Sequence, residues 1–412
     1  MLRTGAAQWI VYVSSFRGAL VRRLDCRNYL AVSIKSAGFY RNYYGERKLS
    51  EQFTAIAILA CVCAALSGVL NIAVIRFCHK YGILDKPGLH KRHKNPTPNI
   101  GGVAILLSVV ITLVFGAWLY PEILLESDIP WVAIGLAGFL IFAVGLVDDL
   151  RPVPPFGKLF TQTIAGLILY SGGLAVDPIY LPFVGEITLG GWSSLVTVFW
   201  VVALSNAVNL IDGLDGLALG VSLIAAVSLM MIALALNLEV VLAICAILSG
   251  ALAGSLYFNL HPARIFLGDS GSLLIGFIFA TLSLLVPIKS YTTAALLPPL
   301  IALGIPIIET ASSALRRFLA GRSVFAADRR HLFHYLGYLG LGPRATVRIF
   351  WLGGVLCGVT SIAMLFWDRR LALGALLAVM VVVFIVFLIL RPRLSRAELK
   401  IGARGDLDES GS

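Results

Sequence analysis

Long apolar runs separated by short polar clusters repeat along most of this chain. A bilayer core about 30 Å thick is crossed by roughly 20 apolar residues in a helix. Eleven stretches fit, near 53–77, 101–120, 130–147, 158–175, 192–209, 217–236, 239–258, 270–288, 291–313, 347–366 and 371–390. The runs are continuous and do not alternate, which favours helices over a barrel. The pattern predicts an all-α polytopic membrane protein of about eleven transmembrane helices. Five polar clusters interrupt it, at 90–99, 148–149, 206–215, 259–272 and 316–334, and the alternation of spans puts all five on one side of the membrane.

Basic residues decide which side. With the loop after the first span inside, the inside loops and tail hold 19 Lys and Arg, and the opposite loops hold only Lys289, Arg369 and Arg370. The positive-inside rule then gives an outside N-terminus, a cytoplasmic C-terminus and a cytoplasmic face for all five clusters. Residues 1–50 run against the rule, with nine Lys and Arg on the outside. They are read as a basic extension of unassigned role, followed by a membrane domain at 51–391 and a polar cytoplasmic tail at 392–412.

Composition supports the class: mean hydropathy is +0.90, with 58% hydrophobic and 13% charged residues, outside the range of soluble domains. The net charge of +11 lines the cytoplasmic face, where anionic headgroups and phosphorylated substrates meet the protein. Nucleic acid is not expected as a partner, since no soluble domain is present to carry a groove. The six cysteines have no metal or disulfide spacing and read as small apolar filler.

The clusters carry candidate chemistry. Asn206, Asn209 and Asp212 recur every third residue, so a helix would align them on one stripe. Amide oxygens and a carboxylate suit a hard cation such as Mg²⁺. Asp215 and three glycines follow in the same stretch. Asp148 and Asp149 are adjacent carboxylates at a span end, a pairing that calls for a cation, an arginine or one raised pKa. Such a pair could orient a phosphate nucleophile or take its proton; it also reads as a solvated loop start. Phe266-Leu-Gly-Asp269-Ser270-Gly-Ser272 opens a span, where Asp269 or Ser270 would be an ordinary cap, or where the helix N-terminus and a metal on Asp269 could meet a pyrophosphate. The 316–334 loop joins arginines with His331 and His334, groups that fork onto or donate to phosphate oxygens. Together these parts imply phosphoryl transfer at a membrane surface.

Six motifs in order carry a resemblance: Asp85-Lys86-Pro87, Gly101-Gly102, Val147-Asp148-Asp149, Asn206-Ala-Val-Asn209-Leu-Ile-Asp212-Gly-Leu-Asp215-Gly216, Phe266 to Ser272, and Asp328-Arg-Arg330-His331-Leu-Phe333-His334. Over about residues 53–390 the chain resembles the polyprenyl-phosphate N-acetylhexosamine-1-phosphate transferases, a branch of glycosyltransferase family 4. The resemblance implies Mg²⁺-dependent (or Mn²⁺-dependent) transfer of a sugar 1-phosphate, GlcNAc-1-phosphate foremost, from a UDP-N-acetylhexosamine to undecaprenyl phosphate. UMP would leave, and a cell-envelope polysaccharide would begin, in a bacterial inner membrane.

Carried over, Asp148, Asp149 and Asp212 are catalytic candidates, and Asp269, Asn209 and Asp212 would hold the metal. Asn206, Asp215, Arg330, His331, His334 and Lys86 would bind substrate. The basic loop looks more like the branch that begins O-antigen, common-antigen or teichoic-acid linkers than the muramoyl-pentapeptide branch. Two departures stand out: Phe333 replaces a usual third histidine, and Glu309 replaces a usual aspartate. Partners would be the two substrates, membrane lipid and, as an open alternative, a second copy of the chain. A transporter using boundary carboxylates, a CDP-alcohol phosphotransferase and an inactive membrane scaffold are the rival readings.

Overall fold

The computed structural model describes residues 26–85, 95–125, 129–181, 185–290, 297–319 and 332–366. Its elements in chain order are α1 (Cys26–Tyr81), α2 (Gly102–Leu119), α3 (Pro121–Leu124), α4 (Trp131–Leu150), α5 (Pro155–Ser171), α6 (Ser193–Ile211), α7 (Leu217–Ala235), α8 (Glu239–Asn259), α9 (Gly268–Ser290), α10 (Leu297–Ala302), α11 (Gly304–Leu319), α12 (Leu332–Tyr338) and α13 (Pro343–Phe366). A small antiparallel hairpin, β1 (Ile179–Leu181) with β2 (Gly185–Ile187), lies between α5 and α6 and pairs Tyr180 with Glu186. It is the described exception to the all-helical expectation.

Among the described residues, eight helices have the length and apolarity to cross a membrane: Gln52–Tyr81, Gly102–Leu119, Trp131–Leu150, Gly190–Ile211, Leu217–Ala235, Glu239–Asn259, Gly268–Val286 and Pro343–Phe366. The expected spans at 158–175 and 291–313 take other forms. The first is α5, only 17 residues long and carrying Lys158 and Gln162, so it reaches about 26 Å at 1.5 Å per residue. The second is interrupted at Leu303 between α10 and α11. Pro306 lacks the N–H that would bond Ala302, so the ladder breaks there. The expected span at 371–390 lies outside the described residues.

No proline occurs between Cys26 and Tyr81, and α1 runs unbroken across the expected domain boundary at residue 50. It ends at Gly82, whose φ of +70° lets the Ile83 N–H return to the Cys78 carbonyl at 3.0 Å.

The core of the bundle is α9, nearly every residue of which is buried through Val286. Phe277 and Phe279 are among its largest enclosed side chains. Around it, α4, α6 and, less extensively, α2 pack, while Val132, Phe139, Leu195 and Phe199 point outward. An outer surface this apolar is stable only against lipid tails. The α1–α8 seam carries polar links inside the membrane: Ser67 Oγ donates to the Ala251 carbonyl at 2.8 Å, and Asn71 Nδ2 donates to Ser255 Oγ at 3.0 Å. Such bonds fix helix register where no hydrophobic force between helices exists.

Candidate active site

The described parts of the polar clusters meet at one end of the bundle. Their frame is a short backbone pairing: Phe266 N–H donates to the Pro98 carbonyl at 2.8 Å, and the Gly101 and Gly102 N–H groups donate to the Phe266 and Leu267 carbonyls, both at 3.0 Å. The twin glycine exists for this contact, because a Cβ on Gly102 would overlap the backbone nitrogen of Gly271. The chain then turns at Gly268, with φ of +73°, into α9. Asp269 is thereby presented in the first turn of the helix that forms the core.

The adjacent aspartates at the end of α4 have different surroundings. Asp149 Oδ1 accepts the Asp269 N–H at 2.7 Å, and its Oδ2 accepts the Ser270 N–H at 3.0 Å and the Ser270 hydroxyl at 2.5 Å. Asn99 Nδ2 donates to the Asp149 carbonyl at 3.0 Å. Asp148 Oδ1 accepts the Val153 N–H at 2.8 Å, and its Oδ2 lies 2.8 Å from Lys158 Nζ. That same ammonium lies 2.5 Å from Asp269 Oδ2. Lys158 therefore bridges two half-buried carboxylates from α4 and α9.

The expected polar stripe on α6 divides among several tasks. Asn206 Nδ2 donates to Gln162 Oε1 at 2.7 Å and to the Val202 carbonyl at 2.8 Å. Asn209 Nδ2 donates to Ser272 Oγ at 3.1 Å, which ties α6 to the Asp269 turn. Asp212 lies just past the helix, with its N–H on the Asn209 carbonyl at 3.1 Å. Its carboxyl sits deep among protein atoms although the residue as a whole is only partly buried. Burial, then repulsion from Asp269, Asp149 and Asp215, pushes that carboxyl up to about 8.

Asp215 was expected to bind substrate; here its Oδ2 accepts the Ala263 N–H at 3.1 Å and lies 2.7 Å from His261 Nδ1. Asn259 completes this lock, accepting the Gly216 N–H at 2.9 Å and donating to the Ile265 carbonyl at 2.9 Å. In these contacts Asp215 and Asn206 are engaged by protein groups: Asp215 holds the loop after α8, and Asn206 ties α6 to α5.

The C-terminal elements press on the same turn. Glu309, fully buried in α11, accepts the Leu332 N–H at 2.9 Å and so receives the start of α12. Phe333, 2% exposed, lies against Gly213, where any Cβ would strike its ring. Its ring stacks at 4.4 Å on that of His334. Trp351 from α13 donates to the Gly216 carbonyl at 3.2 Å. Lys86, Arg330 and His331 lie outside the described residues.

Comparison with known proteins places this geometry. The profile described as Glycosyl transferase family 4 matches residues 131–286, the stretch that carries Asp148, Asp149, Lys158, Asp212 and Asp269. A protein of Bacillus subtilis (strain 168), named a probable undecaprenyl-phosphate N-acetylglucosaminyl 1-phosphate transferase, is 33% identical over 317 residues, covering 77% of this chain and 87% of the relative. The chain belongs to glycosyl transferase family 4. Other relatives in the family include a decaprenyl-phosphate N-acetylglucosaminephosphotransferase of Mycobacterium tuberculosis (strain ATCC 25618 / H37Rv), 32% identical over 371 residues, covering 83% of this chain and 90% of the relative. A phospho-N-acetylmuramoyl-pentapeptide-transferase of Thermoanaerobacter sp. (strain X514) is 35% identical over 326 residues, 74% of this chain and 95% of the relative.

For this family member the donor set bears on a cation. Among the described residues, no three His, Cys, Asp or Glu side chains form a ready-made metal cage. Yet the Asp212 carboxyl is repelled by Asp269, Asp149 and Asp215, and of these four carboxylates Lys158 pairs with Asp269 alone, its other partner being Asp148. Excess negative charge with few protein ligands suits Mg²⁺, which keeps several waters and binds through one or two carboxylates. Lys158 is the site residue that sequence reasoning missed. Its signal was present: a lone lysine at the start of an apolar run, nine residues after an aspartate pair.

Proposed function

We propose that this chain transfers N-acetylhexosamine 1-phosphate, specifically GlcNAc-1-phosphate, from a UDP-sugar to undecaprenyl phosphate and releases UMP. The observation that carries the reading is the convergence of Asp148, Lys158, Asp212 and Asp269 at one end of a lipid-embedded bundle. Relatives named for GlcNAc-1-phosphate transfer to polyprenyl phosphates support the donor and acceptor classes. The product would start a cell-envelope polysaccharide.

Asp269, Asp212 and Asn209 would hold Mg²⁺, with Mn²⁺ as a substitute. When bound, the ion supplies charge neutralisation for a diphosphate. Lys158 holds the Asp269 carboxylate at 2.5 Å and restrains its orientation. Asp148, on the other side of the same ammonium, is the carboxylate placed to orient the incoming lipid phosphate. A phosphate monoester loses its second proton near pH 6, so the nucleophile needs positioning more than a strong base. Arg330, His331 and His334 are the groups we assign to the donor diphosphate, and Lys86 to the same mouth.

The excess of basic residues in one set of loops supports a multi-pass arrangement in a bacterial inner membrane with the site on the cytoplasmic face. Cysteines introduced at 121–129 and 323–330 should label from outside only in the first loop; equal labelling would reject this topology. Activity is tested with purified protein, undecaprenyl phosphate, Mg²⁺ and a panel of UDP-sugars. UMP and a lipid-linked GlcNAc-diphosphate are expected without any ion gradient. A transporter or inert scaffold would release no UMP, and preference for UDP-N-acetylmuramoyl-pentapeptide would move the chain to the other branch.

A further inference from the structure

The paired aspartates differ in what their oxygens touch, and the difference divides their work. Asp148 Oδ2 faces a side-chain cation, the Lys158 ammonium, at 2.8 Å, and its Oδ1 accepts the Val153 N–H from its own end of α4. Asp149 faces three fixed donors, all from the first turn of α9: the N–H groups of Asp269 and Ser270 and the Ser270 hydroxyl. The first N–H groups of a helix have no partner within it, and a carboxylate there is favoured by the helix dipole as well. Usually the cap comes from the residue just before the helix. Here that position is filled by the turn at Gly268, and the cap arrives from α4, 120 residues earlier.

The surroundings are shaped for this one contact. A Cβ on Gly268 would stand 2.6 and 2.7 Å from the two Asp149 oxygens, so only glycine leaves room for the carboxylate. A Cβ on Gly145, one turn earlier in α4, would stand 2.6 Å from the Ser270 backbone. Asn99 holds the Asp149 carbonyl from a third side. Three donors already occupy three of the roughly four lone-pair positions of the Asp149 carboxylate, and protonating it would weaken the bonds that hold the Asp269 and Ser270 amides.

We infer that Asp149 is a positioning residue that clamps the first turn of α9 and thereby fixes the Asp269 carboxylate, and that it exchanges no proton with substrate. The inference rests on the transferase reading for what Asp269 does, but the clamp itself is a property of the protein without substrate.

The full chain in detergent tests it with Asp149→Asn, Ser270→Ala and Asp148→Asn. In metal-free protein, Asp149→Asn should speed hydrogen exchange at the Asp269 and Ser270 amides by roughly five- to tenfold, the scale of a lost helix cap. Ser270→Ala, which removes one of three donors and leaves Asp149 intact, should do so by a smaller factor. Asp148→Asn should leave those amides at the wild-type rate. Mn²⁺ binding followed by electron paramagnetic resonance should weaken by about the same factor as the exchange increases in Asp149→Asn. At saturating metal its kcat–pH profile should keep the wild-type shape. Unchanged exchange in both Asp149→Asn and Ser270→Ala would overturn the clamp, as would loss of the acidic limb of the kcat profile in Asp149→Asn. If Asp149→Asn does not accumulate, Ser270→Ala alone decides, with wild-type exchange overturning the clamp. Faster exchange and weaker Mn²⁺ binding in a protein that releases no UMP would support the clamp and reject the transferase reading.

Discussion

Lys158 Nζ lies 2.5 Å from Asp269 Oδ2 and 2.8 Å from Asp148 Oδ2, so one ammonium joins the end of α4 to the start of α9. All three side chains are about one-fifth to one-quarter exposed, so solvent screens the bridge only partly. Lys158→Met keeps the length of the side chain and removes its charge, leaving two facing carboxylates without a common cation. Turnover should fall by at least about tenfold, roughly 1.4 kcal/mol, in protein that still inserts and accumulates. Wild-type turnover in Lys158→Met would remove this residue from the working site.

Asp269→Asn separates a charge role from a capping role. The backbone N–H that Asp149 accepts is retained, but the carboxylate is lost. An amide is a poor replacement for a charged Mg²⁺ ligand, so turnover should drop below about a tenth of wild type, a loss exceeding about 1.4 kcal/mol of barrier lowering. Higher residual activity would make another residue the principal ligand.

The titration of Asp212 gives a pH test. Its carboxyl is held at about 8, up from 3.8, by burial and by its aspartate neighbours. A carboxyl raised on folding favours the folded state when protonated. Its contribution is full below about 3.8 and declines as pH climbs toward 8. Metal-free protein should therefore lose melting temperature between about pH 6 and pH 8. Mg²⁺ should restore more at pH 8 than at pH 6, because binding at the lower pH must first displace a proton. Equal Mg²⁺-induced shifts at both values would place the ion away from Asp212.

Much of this was legible in the chain. Length and continuity of the apolar runs located the eight long apolar helices among the described residues, because lipid forces each to satisfy its own backbone. The acid pair, the twin glycine and the Asn206–Asp215 stretch marked the site end. What local pattern could not show was pairing across distance. Nothing near Asp149 says that its partners are the amides of residues 269 and 270, and nothing near Asp215 announces His261. A period of three put Asn206, Asn209 and Asp212 on one stripe, but their partners come from α5 and α9 and from the end of the helix itself. The break in the ninth expected span was readable from Pro306, and hydropathy averaged it away.

Phe333 gives the last test. Its place in the sequence, where the family usually has a histidine, suggested a missing donor to the diphosphate, one that Phe333→His could restore. The structure puts the ring 2% exposed against Gly213, next to Asp212, on an α12 whose first N–H is held by Glu309. An imidazole in that slot exchanges apolar packing for ring nitrogens that must be desolvated, a cost on the order of 1–3 kcal/mol. Phe333→His should therefore lower the melting temperature by several degrees. Any kinetic change should come through kcat, because the Asp212–Gly213 turn shifts with the ring. Phe333→Leu should keep most of the stability, since a large apolar side chain still fills the space. His331→Ala should behave differently, raising donor KM with lipid affinity and melting temperature nearly unchanged. Melting temperature, donor KM and kcat measured on all three variants decide the matter. A Phe333→His protein with unchanged melting temperature and a lower donor KM would show that the ring position faces the donor after all, and that its packing on Gly213 is incidental.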